Sequence, residues 1–113
     1  KLGDSEGAKQ KLLATLAIDA KYPEAHNNLG AILYGRGQIE EATRHFEMAI
    51  EERPDYPDAL NNLGVVRLQA GRAAEAIPYF ERAFKLQPAY TSARDNLELA
   101  RQIASGRATL PKP

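Results

Sequence analysis

The sequence predicts an all-α protein built as a stack of antiparallel helix pairs. Three observations predict it. The chain repeats itself with a period of 34 residues. Within each period the apolar residues recur at helical spacing. Glycine and proline punctuate each period at the same places.

Pro23 to Tyr56 reads PEAHNNLGAILYGRGQIEEATRHFEMAIEERPDY, and Pro57 to Tyr90 reads PDALNNLGVVRLQAGRAAEAIPYFERAFKLQPAY; 14 of the 34 aligned positions are identical. Chance gives about two in ordinary composition. The register extends past both copies. It aligns Tyr22, Tyr56 and Tyr90; Ala25, Ala59 and Ala93; Asn28, Asn62 and Asn96; and Leu29, Leu63 and Leu97. Gly3, Gly37 and Gly71 align too, as do Ala8, Ala42 and Ala76, and the large apolar set Leu12, Phe46 and Phe80.

The elements follow in order. Residues 1–22 are the second half of one repeat, a turn and a helix. Residues 23–56 and 57–90 are complete repeats. The first helix of each is expected from Pro23 to Arg36 and from Pro57 to Ala70, because proline is tolerated at a first helical position. Gly37 and Gly71 end these helices by supplying the left-handed conformation. The second helices are expected over Ile39–Glu52 and Ala73–Leu86, with Pro54 and Pro88 closing the repeats. Gly30 and Gly64 cost about 1 kcal/mol each inside a helix relative to alanine. Their recurrence implies a close approach of two helix backbones, with Phe46 and Phe80 filling the space. Pro78 lies inside a second helix, removes one backbone bond and predicts a mild kink. Residues 91–104, TSARDNLELARQIA, keep Ala93, Asn96 and Leu97 but spread polarity around the helix. That suits a capping helix with a solvated outer face. Residues 105–113 read as a flexible tail or linker.

Leu29-Gly30 and Leu63-Gly64, a glycine before each second helix, the pattern Ala42, Phe46, Ala49 repeated as Ala76, Phe80, Ala83, and a closing proline together resemble the tetratricopeptide repeat. The resemblance covers residues 3 to about 104. The sequence departs from the family where a bulky aromatic is usual (His26, Leu60, Arg94), where tyrosine is usual (Leu33, Arg67, Arg101), and at Ala20, which stands in place of a closing proline. The resemblance implies a right-handed superhelical stack whose first helices line a concave face.

Composition narrows the function. A length of 113 residues predicts one domain at most. Fifteen basic and 15 acidic residues balance, which argues against a nucleic-acid partner. Residues 1–56 carry ten acids and seven bases, and residues 57–113 five acids and eight bases. The two halves thus differ in sign, a hint of docking orientation or head-to-tail packing. Without cysteine there is no disulfide, thiolate nucleophile or cysteine-ligated zinc; this is compatible with any compartment. No apolar run approaches the roughly 20 residues that span a bilayer, so no membrane insertion is expected. The opening residues of the chain are not expected to act as a signal peptide. It begins Lys1-Leu2-Gly3 and is expected to be a piece of a longer or processed protein.

No catalytic constellation emerges, and neither a cofactor nor a metal is called for. The only two histidines, His26 and His45, lie at different repeat positions on different helices; packing and surface hydrogen bonding are their expected roles. Glu40-Glu41 and Glu51-Glu52 are adjacent pairs, which point apart on a helix. Ser5, Ser92 and Ser105 have no histidine nearby to activate them. The GRGQ segment from Gly35 to Gln38 is an interhelical turn and no phosphate loop.

Carried over residue by residue, the family's concave positions are Glu24, Asn27, Asn28, Ala31, Tyr34 and Gly35. The next repeat gives Asp58, Asn61, Asn62, Val65, Leu68 and Gln69, and the last helix Asp95, Asn96, Leu99 and Gln102. An amide offers one acceptor and two donors. The row Asn28, Asn62 and Asn96 therefore suits gripping an extended peptide by its backbone, as related repeats do. The alternative is that these amides bond within the protein. The family's carboxylate-clamping subclass needs lysine and arginine where Asn27, Ala31, Asn61, Val65 and Asp95 stand, so acidic C-terminal tails are not expected. The acids Glu24, Asp58 and Asp95 favour a neutral-to-basic segment. Three readings stay open: a protein-binding module, a substrate-docking segment of a larger enzyme, and a self-assembly element whose stack end exposes Leu12, Leu13 and Leu16.

Overall fold

The computed structural model describes residues 2–110, with side chains from Ser5 onward. Lys1 and residues 111–113, the end of the expected tail, lie outside the described residues. Among the described residues every regular element is a helix. The contacts divide the chain into two compact units, Lys1–Ala59 and Leu60–Pro113. Length alone predicts one domain; a repeat chain divides because each repeat contacts only its neighbours.

The first unit holds α1 (Leu2–Ile18), α2 (Pro23–Gly35), α3 (Ile39–Glu52) and the start of α4 (Pro57–Gln69). Gly3 departs from its expected role in a turn, for α1 runs through it. Glycine permits the left-handed conformation without forcing it. Ala8 is exposed on α1, whereas its register equivalents Ala42 and Ala76 are fully buried. Leu13 is exposed, while Leu12 and Leu16 are half-buried.

Pro23 opens α2, as its missing N–H permits. The helix ends at Gly35, and Gly37, with φ +80, turns the chain away two residues later. There the Gln38 N–H donates to the Leu33 carbonyl at 2.9 Å and the Gly37 N–H to the Tyr34 carbonyl at 3.0 Å. These two bonds satisfy carbonyls that a helix end leaves unpaired. Gly30 then lets α2 and α3 meet. A β-carbon at Gly30 would stand 2.7 Å from Phe46 Cε1 and 3.1 Å from the Ala42 carbonyl oxygen. Phe46 is buried there with Leu29, Leu33 and Ala42. Burying one such aromatic contributes about 1.5–3 kcal/mol. A second cluster joins Ala49, Tyr56 and Ala59, with Ile50 against it.

The histidines depart from expectation. Although they sit on different helices, the Nδ1 atoms of His26 (α2) and His45 (α3) are 3.0 Å apart. His26 is buried, in keeping with a packing role; the unexpected feature is its contact with His45.

The second unit holds most of α4, then α5 (Ala73–Leu86) and α6 (Thr91–Ala104). Gly71, with φ +82, ends α4 by the same two bonds, from Arg72 to Arg67 at 2.9 Å and from Gly71 to Leu68 at 3.0 Å. Gly64 admits the Phe80 ring as Gly30 admits Phe46. The core gathers Leu68, Ala73, Ala76, Phe80, Leu97 and Ala100. α5 continues through the exposed Pro78. α6 buries Ala93, Leu97 and Ala100 and leaves Arg94, Glu98 and Arg101 exposed. It ends at Ala104 and is capped at Gly106, one residue beyond the register of Gly37 and Gly71, again with positive φ and with the Arg107 N–H on the Gln102 carbonyl at 2.8 Å. The following segment folds back, and Leu110 packs against the core.

Candidate functional site

The candidate residues stand on the first helix of each pair, and the structure separates them by repeat position. Consecutive helical residues point about 100° apart. Asn27 and Asn61 therefore face inward and are buried, at 5% and 6% exposure. Asn28, the next residue, is exposed.

Each inward amide meets the tyrosine that closes its repeat. Asn61 Nδ2 donates to the Tyr90 hydroxyl at 3.3 Å, and Asn27 hydrogen-bonds Tyr56. Both pairs are 29 residues apart in sequence. Sequence reasoning missed this pairing, although two equal spacings within a 34-residue period were the available signal. Burial pushes the Tyr56 phenol up, and nearby Asp58 and Glu24 push it the same way; the bond from Asn27 and the charge of Arg53 oppose them. The Arg53 guanidinium carbon sits 4.9 Å from the Tyr56 ring centroid.

The row Asn28, Asn62 and Asn96 is not uniform. Asn62 is half-buried and engaged within the protein. Asn96 is half-buried, and its Nδ2 donates to Asn61 Oδ1 at 3.2 Å. Asn61, Asn96 and Tyr90 thus form a connected polar chain in the second unit.

Among the acids, Glu24 accepts from Arg53 Nη2 at 2.5 Å. That bond holds its carboxyl below the usual range. Asp58 is exposed. Asp95 is also exposed and pairs with its neighbour Arg94 at 3.2 Å. Exposed pairs such as these contribute little to stability.

The apolar candidates divide. Ala31 and Gly35 are exposed and Tyr34 is half-buried; burial raises the Tyr34 phenol above its ordinary value. Leu68 belongs to the buried core, with Val65 and Leu99 packed against it. Gln69 is exposed. Gln102 is half-buried, and its Nε2 donates to Glu98 at 3.1 Å.

A cleft of about 480 Å³ lies along α5 and α6, lined by Pro78, Phe84 and Leu97 among Arg82, Lys85, Arg101 and the Glu81 that pairs with Arg101. None of the candidate residues lines it. Among the described residues no three His, Cys, Asp or Glu side chains gather as metal ligands. No described helix is long and apolar enough to cross a membrane.

Comparison with known proteins adds the following. A family model described as tetratricopeptide repeat matches residues 21–89. A search of curated proteins found no match. Among solved structures the chain is similar to MamA, with a TM-score of 0.82 and 24% identity, over 94% of this chain and 62% of that one. It is similar to the first tetratricopeptide repeat domain of Spaghetti (RPAP3), solved with the HSP90 peptide SRMEEVD, with a TM-score of 0.84 and 20% identity over 93% of this chain and 83% of that one. It is also similar to a stretch of the O-GlcNAc transferase of Thermobaculum terrenum, with a TM-score of 0.81 and 26% identity over 87% of this chain and 19% of that one. The chain thus spans less than two thirds of MamA and a small part of the transferase.

Proposed function

This chain belongs to the tetratricopeptide repeat family, and on that footing we propose that it is a non-catalytic protein-interaction module that holds an extended, neutral-to-basic segment on its first helices. The observation that carries this reading is the exposed amide of Asn28 beside the exposed Ala31 and the half-buried Tyr34. Asn28 offers donors and acceptor to a peptide backbone, and Tyr34 offers apolar contact to its side chains. Asn62 and Asn96 extend the same register. Asn27 and Asn61 are assigned a supporting role, for their amides are buried in the repeat. The exposed Asp58 carries the preference against acidic segments, since Arg53 and Arg94 balance the charges of Glu24 and Asp95.

The RPAP3 neighbour is solved with a peptide ending in Glu-Glu-Val-Asp. In this chain Asn27, Ala31, Asn61, Val65 and Asp95 occupy the positions where the carboxylate-clamping subclass needs cations, so the proposed ligand differs in charge. A second reading, a substrate-docking segment of a larger enzyme, is supported by the likeness to part of the transferase.

The test is fluorescence anisotropy with three pools of extended peptides: neutral, lysine-rich and glutamate-rich. Neutral and lysine-rich pools are expected to bind, and the glutamate-rich pool to bind no better than its scrambled form. Tighter binding of the glutamate-rich pool contradicts the proposal.

A further inference from the structure

Two histidines that the proposed function does not use are joined inside the first unit. His26 is buried and His45 half-buried, with their Nδ1 atoms 3.0 Å apart. On its other side, His26 Nε2 lies 2.7 Å from the Ala20 carbonyl oxygen in the α1–α2 connection. A carbonyl oxygen only accepts, so Nε2 carries a proton. In neutral His26 the Nδ1 is then a bare acceptor, and His45 Nδ1 is the donor. The ring centroids are 5.2 Å apart and the planes 29° from parallel. With Nδ1 atoms 3.0 Å apart, that separation sets the rings edge to edge, with one N–H aimed along the contact. Two lone pairs are therefore not turned toward a shared metal ion.

The contact holds one proton between the two Nδ1 atoms, both when the pair is neutral and when it carries one added proton. A further proton sets N–H against N–H and places two cations side by side. The charges around the pair sharpen this. Burial holds His45 below the ordinary histidine range, the charge of His26 from α2 acts the same way, and so does Arg44; Glu41 on α3 opposes them. The α1–α2 connection brings Lys21 and Asp19, whose carboxylate accepts the Lys21 backbone N–H at 3.0 Å. α1 carries Lys9, Lys11 and Glu6, the last bonded to Gln10 and Arg36.

The chain contains its own comparison. The register equivalents of His26 and His45 are Leu60, fully buried, and Tyr79. The equivalents of Ala20 are Pro54 and Pro88. Proline fixes the connection before the next first helix by itself. At Ala20 the bond from His26 does the fixing instead.

We propose that the His26–His45 contact is an acid-operated clasp, which ties the α1–α2 connection, α2 and α3 together and opens when the pair takes its last proton. The sign follows from proton counts. The unfolded chain takes up that proton near pH 6.5, whereas the closed clasp resists it. Between that pH and the lowered value the unfolded state binds more protons, so stability falls as pH falls. It is present in full above the ordinary histidine range.

The test uses the full chain and the double variant His26→Leu/His45→Tyr, which installs the pair of the next repeat. Imidazole NMR shifts are followed from pH 8 to pH 4, with amide exchange read at the α1–α2 connection and α3. The second unit has no histidine and serves as the internal reference. In the wild type the two imidazoles are expected to titrate as a coupled pair, with steps separated by at least about one pH unit. Exchange in the first unit, divided by the intrinsic rate at each pH and compared with the second unit, is expected to rise about tenfold with the lower step, matching one pH unit, and the double variant to lack that rise. Independent titration of both rings near the ordinary value overturns the proposal, as does an identical rise in the variant. Should the variant not fold, the wild-type titration decides alone: coupled steps support the clasp and independent steps overturn it.

Discussion

A missing methyl group decides how closely α2 and α3 stand. At Gly30 a β-carbon would press on Phe46 and on the Ala42 carbonyl, and at Gly64 on Phe80. Alanine is the better helix former by about 1 kcal/mol, while overpacking a core costs about 1–3 kcal/mol. The steric cost wins because one neighbour is backbone. Gly30→Ala is therefore expected to lower stability in urea denaturation by up to about 2 kcal/mol. Gly7→Ala, with open space around it, should raise it by up to about 1 kcal/mol. A stabilising Gly30→Ala would contradict the close packing. The amides teach the complementary lesson. The register that aligns Asn28, Asn62 and Asn96 was legible in the sequence. The burial of Asn27 and Asn61 was not, because adjacent identical residues carry no sign of which one turns inward. Tyr56 and Tyr90 decide it, by bonding the inward amide of each repeat.

At the scale of the element, the second helices Ile39–Glu52 and Ala73–Leu86 fall where glycine and proline punctuation places them. The first helices stop one residue short of expectation, at Gly35 and Gln69. The residue before each glycine is spent in the cap: Arg36 has φ −92 and ψ 2. The end of α6 was hidden because Gly106 lies one residue off the repeat register, which breaks the pattern while keeping the capping chemistry. The histidine contact was hidden for another reason, since residues 19 apart on two helices share no periodicity. Pro78 gives an element-scale prediction. It removes one hydrogen bond from the middle of α5, and its side chain is exposed. Pro78→Ala restores that bond without disturbing the core. It should stabilise the chain by about 1–3 kcal/mol in the same denaturation experiment. No gain would mean that the proline ring is itself packed or that α5 depends on its geometry.

For the whole molecule, repetition supplies the fold and the departures from repetition supply what is individual. The same 34-residue pattern carries Asn-Asn twice, yet one repeat adds a histidine pair and the other a leucine and a tyrosine. The acid excess lies in residues 1–56 and the basic excess in residues 57–113. The fold was legible almost throughout because packing repeats on the page as spacing. The candidate site was legible only as a register, because side-chain exposure depends on which neighbour each amide finds. The central claim is that the outward amide binds while the inward amide supports. The most direct measurement pairs melting temperature with the affinity of a peptide pool free of Asp and Glu, for wild type, Asn28→Ala and Asn61→Ala. Losing the backbone bonds of Asn28 should weaken binding roughly tenfold, on the scale of one hydrogen bond, with the melting temperature unchanged, while Asn61→Ala lowers the melting temperature. Undiminished binding by Asn28→Ala at unchanged stability would contradict the account.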